Sequence, residues 1–73
     1  MKVRPLGNAV LLRGLPNKAK VIRLGEEICD HDYVKFGSVV FFHMGRHVTI
    51  RATEGEGEWL VPLDDILGVV EEE

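Results

Sequence analysis

The residues best suited to chemistry gather in one short run, Cys29, Asp30, His31 and Asp32. His43 and His47 follow, flanking the turn-like Met44-Gly45-Arg46. Thiolate and imidazole are the usual ligands of zinc or copper, so Cys29, His31, His43 and His47 form the candidate metal set. The spacing argues against it. There is no Cys-x-x-Cys or His-Glu-x-x-His pattern, and Asp-His-Asp suits a polar turn equally well. A solvated loop with surface histidines is expected, with no metal and no cofactor.

Catalysis finds no better footing. A nucleophile needs a base and an orienting group within hydrogen-bond reach, and the adjacent side chains of Cys29, Asp30 and His31 diverge. Ser38 is the only serine and lies in no Gly-x-Ser-x-Gly setting. Asp64 and Asp65 are neighbours after Pro62, where they are expected to cap a short turn. The glycines form neither Gly-x-Gly-x-x-Gly nor a P-loop. No catalytic residue is expected, and the chain is not read as an enzyme. Trp59 suits either an interface anchor or a core position on a short strand, the core being the commoner fate.

The elements that would position these groups are short and β-branched. Strands are predicted near 8–13, 20–24, 38–43, 47–52, 57–61 and 66–70, separated by glycine-bearing turns. Pro62 to Asp65 predicts one 3₁₀ turn, Met44-Gly45-Arg46 a tight hairpin between the third and fourth strands, and 25–37 an irregular surface excursion. The pattern points to an all-β fold, a small irregular barrel without a long helix, in a single domain over 1–73. In 47–52, Val48, Ile50 and Ala52 alternate with Thr49 and Arg51, which predicts one wet face. In 9–12 and 38–43 both faces are apolar. A one-layer barrel cannot bury both, so a loop, a terminal segment or another subunit must cover some of them.

Size and charge narrow the function. A chain of 73 residues buries only about 60% of its unfolded surface, and a lone cysteine offers no disulfide staple; a partner chain is expected. The single cysteine and the absence of a leader-like apolar run predict a cytoplasmic protein. No stretch approaches the ~20 apolar residues of a membrane helix, so no membrane partner is expected. Residues 1–51 carry all nine Lys and Arg against four acids, a balance of +5, whereas 52–73 carry eight acids and no base. That acidic end argues against nucleic acid, whose binding rests on neutralising phosphates.

Several blocks together resemble the GroES-like small co-chaperonins. The opening Met1-Lys2-Val3-Arg4-Pro5-Leu6-Gly7 is similar to the family's first segment, and Asn8 to Arg13 to its first strand. Val34-Lys35-Phe36-Gly37-Ser38 with Val39 to Phe42 resembles its Val-Lys-x-Gly-Asp strand motif. Glu58-Trp59-Leu60-Val61 and Asp64-Asp65-Ile66-Leu67-Gly68-Val69-Val70-Glu71 resemble its closing strand, turn and tail.

The resemblance implies a β-barrel that assembles into a homo-oligomeric, seven-membered ring capping a chaperonin. It implies that the subunit interface is formed by Met1, Lys2, Val3, Arg4, Pro5 and Leu6 of one chain with Ile66, Leu67, Val69 and Val70 of the next. Such an interface would cover exposed edges. Two segments depart from the family. Where it carries a long glycine-rich mobile loop, only Gly14 to Ala19 joins the first two strands, leaving Leu15, Pro16, Asn17 and Lys18 at that position. The roof hairpin shrinks to Gly25–Val34, and Asn8 and Ser38 stand where aspartates are usual. Ring formation is expected to survive these losses, and mobile-loop docking on a chaperonin is not. The alternative expectation is a structural or assembly ring protein, of virion or scaffold type, with no chaperonin activity.

Overall fold

The computed structural model describes residues 3–28, 34–53 and 55–71. All six predicted strands form: β1 (Ala9–Leu15), β2 (Lys18–Leu24), β3 (Val39–Phe42), β4 (Val48–Thr53), β5 (Glu56–Pro62) and β6 (Ile66–Val69). A three-residue 3₁₀ turn, η1 (Leu63–Asp65), lies between β5 and β6, where Pro62 predicts it. Every strand pairing is antiparallel, in one sheet of order β4-β5-β1-β2-β3-β6. The fold is all-β, but the sheet does not close: β4 and β6 are its two ends and do not pair with each other.

The connections force this open sheet to roll. β5 and β6 are four strand positions apart, a separation of roughly 19 Å in a flat sheet at about 4.8 Å per strand. Pro62 and Ile66 are joined by a chain that reaches at most roughly 14 Å. The sheet therefore curls until its ends approach, and one face becomes the inside.

Alternate residues fill that inside. Val10 and Leu12 of β1, Ala19 and Val21 of β2, Val40 and Phe42 of β3, and Trp59 and Val61 of β5 form one buried cluster with Val34. The Trp59 ring lies against Phe42, centroids 5.6 Å apart and tilted by 45°. Trp59 is thus a core residue. Val34 packs into the core from the far part of the 25–37 stretch, of which residues 29–33 lie outside the described residues. The near end of the stretch is held by two backbone bonds, from Gly25 N–H to Ala9 O and from Glu27 N–H to Gly7 O. A side chain has no room at Gly25, where a Cβ would meet the carbonyl oxygens of Gly7 and Ala9.

Three local expectations change. The first two strands run on toward each other and meet in a two-residue turn, Pro16-Asn17, with Leu15 paired to Lys18. Proline followed by a residue at φ 59° is the type II pattern, so the loop is shorter than the six residues read from sequence. Second, β3 and β4 are not a hairpin: 43–47 connects strands four positions apart, and only the roll of the sheet lets five residues do so. Third, β4 does not keep one buried face. A bulge at Ile50 breaks its register with β5 (Thr49 faces Trp59, Arg51 faces Glu58), and the strand has a neighbour on one side only. Ile50 is half-buried, and the rest of β4 is exposed.

Candidate assembly surface

The second apolar faces end in two different ways. On β1, Leu11 points away from the core cluster, because its strand neighbours Val10 and Leu12 point into it. Leu11 is nevertheless only 3% exposed. Its partner on β2 is Arg23, whose Nη1 donates to the carbonyl oxygen of Val3 at 3.3 Å. That bond ties the N-terminal segment to β2, and Pro5 is buried in the same segment. Leu11, flanked by Arg23 and Leu60 on the neighbouring strands, is covered within its own chain.

At β3 and β6 the second face stays open. Phe41 is 45% exposed, Leu67 71% and Val70 40%. Phe41 faces Gly68, which has no side chain, and Leu67 is the extra residue of a bulge between the Phe41–Gly68 and Phe42–Ile66 pairs. The bulge turns Leu67 outward while Ile66 and Val69 pack against the core. Among the described residues the strand has β3 on one side and no strand on the other, and such a sheet edge offers backbone donors and acceptors for pairing.

The residues expected at a subunit interface therefore divide. Arg4, Leu6, Leu67 and Val70 face solvent, Pro5 is buried, and Val3, Ile66 and Val69 are partly buried within their own chain. Met1 and Lys2 lie outside the described residues. Of the four residues at the mobile-loop position, Leu15 and Lys18 are paired strand residues and Pro16-Asn17 is the turn between them, all exposed.

One polar junction holds the rolled ends in place. Arg46, in the β3–β4 connection, donates from Nη2 to Oδ1 of Asp65 in η1 at 2.9 Å. The backbone N–H of His43 donates to the Asp65 carbonyl at 2.8 Å. The Arg46 hydrogen bond and charge hold the Asp65 carboxyl below its usual range against the opposing effect of burial, and raise the guanidinium in turn. Asp65 does not cap η1, which has no side-chain cap; its carboxylate is turned to Arg46 instead. No sequence signal marks that pair, because the 19-residue separation belongs to no local motif.

The candidate metal set is not assembled within the described residues. Cys29 and His31 lie outside them. His43 and His47 do not face each other across paired strands, because β3 and β4 are not neighbours. No group of three or more metal-ligating side chains occurs among the described residues. Neither is any helix there long and apolar enough to cross a membrane. Ser38 serves its own turn, its Oγ accepting from the Lys35 N–H at 3.2 Å. What the fold presents is an apolar edge. The chain matches no protein-family model and no curated protein.

Proposed function

We propose that this chain is an assembly module that self-associates through β6, as a ring-forming protein of the co-chaperonin-like kind that assists or modulates chaperonin-dependent folding in the cytoplasm. The observation that carries the reading is the unpaired β6 edge, with Leu67 and Val70 turned to solvent beside Phe41. Pairing with an extended segment of a second copy would satisfy that edge and remove the apolar side chains from water. Leu6 and Arg4 are exposed on the N-terminal segment that the family resemblance assigns to this contact.

A structural ring without chaperonin activity is the second reading. The two-residue Pro16-Asn17 turn favours it, because it leaves the exposed Leu15 as the one large apolar side chain at the mobile-loop position.

Native mass spectrometry of the chain, joined to a pull-down on a chaperonin with and without nucleotide, tests both. A closed ring retained by the chaperonin supports the first reading. A stable ring that ignores the chaperonin supports the second. A monomer at micromolar concentration sinks both.

A further inference from the structure

The outer face of β1, β2 and β3 has a chemical character opposite to that of the whole chain. The three strands contain no acid, although the net charge of the protein is −3. Arg13, Lys18 and Lys20 are exposed there, and Arg13 and Lys20 are cross-strand partners. A bulge at Ile22 restores Arg23 to the same face, opposite Leu11. Arg13 is committed to Glu58 at 3.0 Å, and Arg23 reaches the Val3 carbonyl. Lys18 and Lys20 have no carboxylate partner among the described residues.

Beside Lys18 the surface sinks into an open depression of about 470 Å³, lined by Phe41, His43, Met44 and Leu67 among others and, among the described residues, by no acid. The Lys18 ammonium stands over the Phe41 ring, 5.8 Å from its centroid. An apolar floor with Lys18 on its rim and Lys20 farther along the same strand is the chemistry that recognises an apolar side chain followed by carboxylates. The spacing agrees: Lys18 and Lys20 are two residues apart on one face, about 6.6 Å, the repeat of alternate side chains on an extended peptide.

We propose that this face binds an extended acidic segment of a partner protein. One apolar side chain of that segment seats between Phe41 and Leu67, and carboxylates two and four residues along, which share its face of the extended segment, pair with Lys18 and Lys20. This contact and self-association through β6 are alternatives on any one copy, because they cover the same side chains. Both use Leu67, but only this one uses the charge of Lys18.

The test is a titration of the isotope-labelled full chain, followed by NMR at about 0.15 M salt, where attraction between exposed charges more than about 8 Å apart is largely screened. The probe is the blocked peptide Gly-Leu-Ser-Glu-Ser-Glu-Gly. Shifts are expected at Lys18, Phe41, Met44 and Leu67, with binding about tenfold weaker when glycine replaces the peptide's leucine. Lys18→Glu is expected to abolish binding while the dispersed spectrum shows the variant folded. Equal binding by the glycine peptide or by a Lys-for-Glu peptide overturns the proposal. So do shifts spread equally to Arg4, Arg46 and Arg51, which mark charge attraction alone. A gain of more than about tenfold on Glu71→Lys would name the chain's own C-terminal segment as the occupant, and would also overturn it.

Discussion

The sheet has two free edges, β4 and β6, and they are built differently. β4 carries Thr49, Arg51 and Thr53, is exposed along most of its length, and is broken by the Ile50 bulge. Arg51 faces Glu58 across the pair with β5. A charged side chain and a bulge are devices that keep an edge from pairing with another chain, and the exposed apolar side chain of β4 is Val48 at its start. β6 also has a bulge, but there the extra residue is Leu67, turned to solvent beside Phe41. Both bulged residues are apolar; what differs is their exposure, Ile50 being half-buried and Leu67 71% exposed.

The contrast is most directly broken by charge at the two edges. Leu67→Asp is expected to weaken self-association by about 30-fold or more, the effect of losing a central apolar contact of ~2 kcal/mol. Thr49→Asp should leave the association constant within about twofold, since exposed substitutions away from an interface cost within ~0.5 kcal/mol. Sedimentation or native mass spectrometry over a concentration series measures both. Equal losses at the two edges would erase the distinction. Ile66→Asp is a poorer probe, because Ile66 packs against the core of its own chain.

The attachment of β4 can be loosened without touching β6. At Gly57 an added Cβ would lie 2.8 Å from the Trp59 ring and 2.9 Å from the Arg51 carbonyl oxygen. Gly57→Ala is expected to cost about 1–3 kcal/mol, as overpacking does. Amide exchange should rise first in β4 while the β3–β6 pairing stays protected. Uniform loss of protection would show instead that the two edges unfold as one unit.

Acid tests the junction that brings the two edges together. The Asp65 carboxyl is depressed in the folded chain by Arg46. Its contribution to stability is therefore present above the unfolded value of about 4 and is lost as pH falls through the lower folded value. Arg46→Ala should flatten the pH dependence of the melting temperature in that window. An unchanged acid limb in the variant would show that other carboxylates set it. The smallest effect belongs to Arg13→Ala, where loss of the half-exposed pair with Glu58 should change stability by less than ~1 kcal/mol in chemical denaturation.

Much of the architecture was legible in the residue order. Short β-branched runs between glycines mark all six strands, because alternate burial on a pleated chain leaves that local signature. Pro62 marks η1, and Pro16-Asn17 carries the residue types of a type II turn, a signal that would have shortened the first loop. The open apolar face at Phe41 was foreseeable from 38–43, where both sides of the strand are apolar.

The rest depends on distances between residues far apart in the chain. That β3 pairs with β6 and not with β4 follows from the roll of the sheet, which the short β5–β6 connection compels. The bulges at Ile22, Ile50 and Leu67 exist only against a partner strand, since a bulge is a mismatch between two chains' registers. The Arg46–Asp65 pair likewise exists only once two connections meet. Local sequence determined where the chain extends and turns, through steric and burial preferences that act over a few residues. Tertiary structure alone decided which edge is blunted, which is left apolar, and where the cations of β2 face, because each of these is a property of register.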